Sequence, residues 1–237
     1  MLSTTPDIEV KIRGDHSLNK RNMKKLIELM SSFGAEFLPK NKFTFPIKLI
    51  STEMPIGIEY TAGVSAQLKS AVIFAGLNSF GTTRIFETKK SRDHTENILK
   101  KSDQTIKIKN GEKKTIEVFG KKQLKSFIID IPGDPSSAAF FTALTLLNKK
   151  STLKIKNVGL NPTRIGFYEL LKKHGAKIKF SNKRKKNNEI VGDIEVKSGV
   201  LKKAITSSKE FYEKTTDEFP ILFCICGGSV GKKSPPL

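Results

Sequence analysis

The sequence predicts an α/β fold in which a βαββαβ unit is repeated, and three observations support this. Segments 29–37 and 170–178 share one pattern of apolar residues around a Gly-Ala pair, and 98–106 has the same apolar positions midway between them. The step of about 70 residues is too long for a solenoid repeat and suits a subdomain. Short alternating β-branched segments precede amphipathic ones, and two further segments are apolar all round.

Each element of the unit follows from its local pattern. Alternating β-branched residues predict opening strands at 7–12, 82–88 and 151–157. Apolar residues at a spacing of three to four predict amphipathic helices at 19–33, 92–101 and 163–174. Two more strands should follow each helix, at 35–38 and 44–50, 104–109 and 114–119, and 176–181 and 189–197. Gly34 and Gly175 fit the left-handed position that ends a helix.

A second type of helix opens the units. The segments 64–77 and 135–147 are apolar nearly all round, so we expect both helices to be buried on every side. They follow predicted strands at 57–62 and 127–133.

The strong positive charge is compatible with three kinds of function. The 237 residues carry a formal net charge of +20. The lysines are spread along the chain and are not interleaved with aromatic residues, as a stacking platform for nucleic acid requires. Three interpretations remain open: a solvated surface, a basic nucleic-acid-binding module, or a field that attracts a small anionic substrate.

The sequence shows no membrane helix, no secretory signal and no pattern of paired cysteines. The longest apolar run, 219–226, is far shorter than the roughly 20 residues of a membrane helix, and the N-terminus lacks a secretory pattern. Cys224 and Cys226 stand two positions apart, and no further Cys or His lies near them, which argues against a disulfide framework or a zinc site. We therefore expect a cytoplasmic chain without a metal, a cofactor or a membrane partner.

Ser65 and Gln67 lie where a strand gives way to an all-round apolar helix. The small residues around them let a ligand approach the helix N-terminus, whose N–H groups and dipole suit an anion. Ser65 is equally suited to be an ordinary N-cap. Segment 133–137 occupies the same place before the next such helix, where Asp134 suits a cap and Pro135 the first turn.

Other candidate residues also stand at helix starts. Arg21 and Arg92 are unfavourable to the helix dipole there, which makes sense if they face an anion, although both also suit a solvated surface. His94 is either part of that site or a packing residue. Asp217, shortly before Pro220, is either an N-cap or a general base.

Four motifs taken together resemble the 5-enolpyruvylshikimate-3-phosphate (EPSP) synthase family. They are G-V-S-A-Q-L-K-S-A-V-I-F-A-G-L at 63–77, S-R-D-H-T-E-N-I-L at 91–99, G-D-P-S-S-A-A-F-F at 133–141 and D-E-F-P-I-L at 217–222. The resemblance implies an enolpyruvyl transferase fold, an inverted α/β barrel-like arrangement of βαββαβ units. S-R-D-H-T distinguishes the family from the related UDP-N-acetylglucosamine 1-carboxyvinyltransferases, which remain an alternative.

The resemblance also implies roles for the candidate residues. Arg92 would bind shikimate 3-phosphate, and Arg21 would bind phosphoenolpyruvate. Gln67 would contact both substrates. The shikimate 3-phosphate site would be completed by Ser65 and Ala66.

Asp217 would accept the proton of the attacking 5-hydroxyl of shikimate 3-phosphate. Phosphoenolpyruvate is protonated at its methylene carbon, the hydroxyl attacks the neighbouring carbon, and the tetrahedral intermediate expels phosphate. The family implies no cofactor and no metal for this reaction, and a monomer at full length.

The implied domain division falls near residue 150. Residues 1–150 would belong to the first domain, 151–226 to the second, and 227–237 would form an irregular tail. By the repeat rule both ends of the chain are incomplete, and several family motifs have no counterpart here. We therefore expect a fragment that covers about half of a full enzyme and does not turn over alone.

Overall fold

The computed structural model describes residues 1–102, 104–199, 201 and 214–230. The chain divides into two compact units, Met1–Phe127 and Ile128–Leu237. None of the helices in the described residues is long and apolar enough to cross a membrane.

The first unit begins with two short helices and a small antiparallel sheet. Its elements are β1 (Glu9–Ile12), α1 (His16–Asn19), α2 (Lys24–Ser31), β2 (Glu36–Leu38) and β3 (Ile47–Ile50), with strand order β1-β3-β2. The helix predicted over 19–33 is confirmed for Lys24–Ser31, but its predicted start is wrong, because the chain is not helical between α1 and α2. Asn22 explains the break: its side chain accepts a hydrogen bond from the Lys24 N–H at 2.9 Å, in place of a helical bond.

The rest of the first unit is a four-stranded sheet with two helices, of which the longer packs one face into the core. Its elements are β4 (Glu59–Ala62), α3 (Ala66–Leu77), β5 (Thr82–Glu87), α4 (His94–Leu99), β6 (Ile106–Lys109) and β7 (Lys114–Phe119). The strand order is β4-β5-β7-β6, with β4 and β5 parallel and the other pairs antiparallel. Val72 and Ile73 of α3 pack with Ile85 and Ile116 in the core, but Phe74 is 42% exposed, so the prediction that this helix is buried on every side is wrong.

The second unit places two helices and a final helix around an antiparallel sheet. Its elements are α5 (Pro135–Leu147), β8 (Thr152–Gly159), α6 (Gly166–Lys173), β9 (Lys177–Lys186), β10 (Glu189–Lys197) and α7 (Phe219–Val230), and the strand order is β8-β10-β9. Phe167 and Tyr168 of α6 are fully buried.

Gly34 and Gly175 have φ of 103° and 94°, so the prediction of left-handed helix ends is confirmed.

Two predictions for the second unit are wrong. The segment 127–133 is not a strand: only Gly133 forms an isolated bridge, to Val158, and a strand needs a neighbour to pair with. α5 is not buried on every side either, because Phe140 and Phe141 are 65% and 59% exposed. An all-round apolar sequence does not say which face is covered, and here the face of Ala139 packs into the core.

Candidate functional site

A cavity of about 640 Å³ lies between the start of α2 and the N-terminal half of α3. The residues that line it are Asn22, Met23, Lys24, Lys25 and Leu26 from the first helix and Ser65, Gln67, Leu68 and Ala71 from the second. The fold therefore brings together two stretches that the sequence singled out separately: the pair Ser65 and Gln67, and the segment that directly follows Arg21.

The cavity meets the positive end of a helix. The Oγ of Ser65 accepts a hydrogen bond from the Leu68 N–H at 3.3 Å, so Ser65 is the N-cap of α3. Gln67 is exposed beside it, and the exposed Lys24 and Lys25 stand opposite at the start of α2. The N-terminus of α3 favours an anionic ligand, and the two lysines add positive charge on the facing helix, although the Lys24 ammonium lies 3.7 Å from Glu28 Oε1.

Three predicted site residues have other positions. Among the described residues that line the cavity, Arg21, Ala66 and Arg92 are absent. Arg21 is exposed and precedes the lining residue Asn22, whereas Arg92 is half-buried just before α4. Their roles in binding remain predictions.

A buried charged cluster that local sequence patterns do not predict joins α3 to α4. Lys69 of α3 is fully buried, and its Nζ lies 2.7 Å from Glu87 Oε1 and 2.7 Å from Glu96 Oε1. Lys114 approaches the same carboxylates, at 2.8 Å from Glu87 Oε2 and 3.5 Å from Glu96 Oε1. A lysine inside an otherwise apolar helix was the one signal in the sequence that could have revealed the cluster.

The charges in this cluster support one another. Burial raises the pKa of Glu87, but hydrogen bonds from Lys114 and Lys69 outweigh it and hold that pKa at about 2. Burial likewise lowers the pKa of Lys114, yet the bond to Glu87 and the nearby Glu96 raise it above its usual value. The pair of Glu87 and Lys114 is therefore charged at neutral pH.

Asp217 belongs to the second unit, where a 3-10 turn, Thr216–Glu218, leads into α7. Asp217 is exposed, whereas its neighbour Glu218 is 3% exposed. The Oγ of Ser136, in the first turn of α5, donates a short hydrogen bond to Glu218 Oε1. The buried neighbour thus fixes the turn that presents Asp217.

Asp134 caps α5, as its sequence predicts. Its carboxylate accepts bonds from the N–H groups of Ser136 and Ser137, and Pro135 occupies the first turn. Arg164 Nη2 donates to Asp134 Oδ1 at 2.7 Å. Partial burial would raise the pKa of Asp134, but these hydrogen bonds and the guanidinium hold it below its usual value.

The part of the chain that the structure describes holds no group of three or more His, Cys, Asp or Glu side chains suited to a metal ion. The polar side chains that line the cavity are two lysines, the amides of Asn22 and Gln67 and the hydroxyl of Ser65, beside the N-terminus of α3.

The family model described as EPSP synthase (3-phosphoshikimate 1-carboxyvinyltransferase) matches residues 1–227. The chain belongs to the EPSP synthase family. A 3-phosphoshikimate 1-carboxyvinyltransferase from Petrotoga mobilis is 42% identical to it over 224 residues, which are 93% of this chain and 51% of the relative. The enzyme of the same name from Zymomonas mobilis is 40% identical over 223 residues, or 93% of this chain and 49% of the relative.

Solved structures agree with the sequence relatives. EPSP synthase from Acinetobacter baumannii superposes with a TM-score of 0.78 at 33% identity, over 94% of this chain and 50% of that one. The enolpyruvyl transferase NikO from Streptomyces tendae superposes with a TM-score of 0.57 at 12% identity, over 86% and 48% of the two chains, and so shares the fold. The predicted α/β enolpyruvyl transferase fold is confirmed. The chain spans about half the length of the curated EPSP synthase relatives that it matches.

Proposed function

We propose that this chain contributes part of the active site of a 3-phosphoshikimate 1-carboxyvinyltransferase. The reaction transfers the enolpyruvyl group of phosphoenolpyruvate to the 5-hydroxyl of shikimate 3-phosphate and releases phosphate. The observation that carries the proposal is the cavity where Ser65 and Gln67 meet the start of α2, in a chain whose family match extends over residues 1–227.

The electrostatics of the cavity suit these substrates. Shikimate 3-phosphate and phosphoenolpyruvate are both multiply anionic, and the N-terminus of α3, Lys24 and Lys25 supply positive charge around one space. In the proposal, Ser65, Ala66 and Gln67 hold shikimate 3-phosphate. Groups that are already oriented before the substrate arrives lower the entropic cost of bringing two anions together.

Two arginines complete the proposed binding set. Arg21 directly precedes the cavity-lining segment and binds phosphoenolpyruvate, while Arg92 at the start of α4 binds shikimate 3-phosphate. A guanidinium presents paired N–H donors to a phosphate or carboxylate, a geometry that lysine lacks.

Asp217 is the proposed proton acceptor for the 5-hydroxyl. Its carboxylate is exposed on a turn anchored by the buried Glu218, so the turn is held while the acid group stays accessible. As the hydroxyl oxygen attacks phosphoenolpyruvate, its proton passes to Asp217. The methylene carbon gains a proton and becomes a methyl group. As phosphate leaves, the methyl carbon gives up a proton and the carbon–carbon double bond forms again, so the only net proton transfer is from the 5-hydroxyl to the released phosphate.

The remaining assignments are proposals of the same kind. The proposed domain boundary near residue 150 differs from the division between the two compact units, which falls between Phe127 and Ile128. The predicted irregular tail is wrong for 227–230, which form the end of α7, and 231–237 lie outside the described residues. The full-length enzyme is a cytoplasmic monomer that uses no cofactor and binds no nucleic acid. Turnover requires the segments that the relatives carry beyond the matched half.

Calorimetry with the 237-residue chain tests the proposal. We expect shikimate 3-phosphate to bind weakly and UDP-N-acetylglucosamine not to bind. Equal affinity for the two ligands would instead favour a UDP-N-acetylglucosamine 1-carboxyvinyltransferase. No binding of shikimate 3-phosphate, in a chain shown to be folded by circular dichroism, would contradict the proposed site.

A further inference from the structure

Lys69 links α3 to two other elements from inside the protein. It lies one helical turn after Ser65, and its N–H donates to the Ser65 carbonyl at 3.2 Å. Its side chain is 0% exposed and contacts Glu87, at the end of β5, and Glu96, in α4, both at 2.7 Å. The first turn of α3 is therefore tied to both neighbouring elements by charged hydrogen bonds.

Glu87 also binds Ser91, the residue that directly precedes Arg92. Its Oε1 accepts bonds from the Ser91 N–H at 3.1 Å and the Ser91 hydroxyl at 3.0 Å, as well as from Lys69. One carboxylate oxygen thus holds α3 and the segment that leads into Arg92.

Glu96 provides a second link to the same segment. It lies in α4, four residues after Arg92, and is 1% exposed. Beside it the hydroxyls of Ser70 and Thr95 are hydrogen-bonded at 2.8 Å, which joins α3 to α4 again. Arg92 is therefore flanked on both sides by residues tied to α3.

Stability alone does not explain this cluster. A buried ion pair is often no more stabilising than apolar side chains of the same volume, because the charges lose their hydration. Here Glu96 Oε2 is also buried with no hydrogen-bond partner in the described residues, an additional cost. A charged cluster does offer defined distances between elements, which apolar packing specifies less sharply.

We propose that Lys69 is a positioning residue: through Glu87 and Glu96 it holds the segment that carries Arg92 at a fixed place relative to Ser65 and Gln67. The guanidinium of Arg92 and the N-terminus of α3 are then already placed to bind the same anion. The inference rests on the proposed function, in which Arg92 and Ser65 bind the same substrate.

A charge-balanced double variant tests the inference without leaving a buried unpaired charge. Lys69→Met/Glu96→Gln removes one positive and one negative charge and retains the pair of Glu87 and Lys114. The matched control, Lys109→Met/Glu117→Gln, makes the same change in a pair 2.8 Å apart, whose lysine is 53% exposed, between β6 and β7. Ser91→Ala is a milder second variant that leaves all four charges in place.

Two readouts separate positioning from a structural role. Hydrogen exchange of residues 88–99 should be about tenfold faster in the double variant and unchanged in the control. Shikimate 3-phosphate should bind about tenfold more weakly. Arg92→Ala should weaken binding strongly in the original chain but less than about twofold in the double variant, since the arginine is no longer held in place.

Other results overturn the inference. Unchanged exchange at 88–99 would show that the cluster does not hold the segment, and additive losses with Arg92→Ala would show a structural role only. If the double variant does not fold, Ser91→Ala decides by the same readouts, with effects of about threefold. If the original chain binds no shikimate 3-phosphate, the proposed function fails, and the exchange rates alone decide whether the cluster positions the segment.

Discussion

Ser136 donates a hydrogen bond to Glu218, and this bond joins the first turn of α5 to the turn that carries Asp217. The Ser136 hydroxyl also accepts a bond from Arg164 Nη2 at 2.9 Å. The same guanidinium nitrogen lies 2.7 Å from Asp134, the N-cap of α5. The turn before α7 is thus attached to the start of α5 through a chain of charge-assisted bonds.

Replacing Ser136 by Ala should destabilise the protein. The buried carboxylate of Glu218 loses one hydrogen bond, and a hydrogen bond to a charged group contributes about 1.5–3 kcal/mol. Urea denaturation followed by circular dichroism measures the loss. Ser137→Ala is the matched control, because the Ser137 hydroxyl bonds to the exposed Asp134 and its removal should cost less than about 1 kcal/mol. Equal losses for the two variants would contradict the anchoring role.

The stability of the chain should fall in acid through Glu87. Its pKa is about 2 in the folded protein, against an ordinary value of 4.5, so the folded state binds this proton less tightly than the unfolded state. The resulting stabilisation is present above pH 4.5 and is lost as the pH falls towards 2. Its size is about 3 kcal/mol, from the difference in pKa.

Urea denaturation of the original chain and Glu87→Gln at several pH values measures this contribution. The gap in unfolding free energy should be large at pH 7 and should close as the pH falls from 4.5 towards 2. Glu53→Gln, which changes an exposed carboxylate, should leave the unfolding free energy nearly unchanged at every pH. A gap for Glu87→Gln that is constant with pH would show that the loss comes from packing.

Arg92→Ala should weaken the binding of shikimate 3-phosphate by about 1.5–3 kcal/mol, the range for a hydrogen bond to a charged group. Calorimetry of the two chains gives the difference. Arg84→Ala is the matched control, since Arg84 is an exposed arginine of β5 that pairs with Glu59. An identical effect of both substitutions would indicate that net charge, not a specific contact, controls the affinity.

Local patterns predicted most of the secondary structure, because its causes are local. Gly34 and Gly175 end helices for a conformational reason that the residue type itself carries. The spacing of apolar residues did not predict the break before α2, because that break depends on one side-chain hydrogen bond of Asn22. The strand predicted at 127–133 failed because pairing is a property of two segments.

Some residues of the candidate site could likewise be predicted from the sequence, and others could not. Ser65 and Gln67 could be selected from their place at a helix start, and the fold puts them at a cavity. The partners of Lys69 could not be selected, since Glu87 and Glu96 come from other elements and are brought to it only by tertiary packing. A buried lysine can be suspected from sequence, but its counter-charges require the structure.

The role of Asp217 in proton transfer can be tested only in a complete enzyme. We expect a chimera in which residues 1–227 replace the matched half of the Petrotoga mobilis relative to release phosphate from the two substrates, whereas the 237-residue chain alone should show no turnover. In this chimera Asp217→Ala should lower turnover by a factor of about 10² to 10⁴, the usual effect of losing a general base. The binding of shikimate 3-phosphate should change little.

Asp217→Ser in the same chimera separates the two roles that the sequence leaves open. Serine replaces aspartate well as a helix cap, so a capping role predicts near-normal turnover and recovery of the roughly 0.5–2 kcal/mol that Asp217→Ala would cost in stability. Serine is not a base near neutral pH, so a proton acceptor cannot be replaced in this way. Because Asp217 is exposed while Glu218 holds the turn, we expect both variants to fold and both to be inactive. Phosphate release near the original rate from Asp217→Ser would reduce Asp217 to a cap and remove it as the proton acceptor.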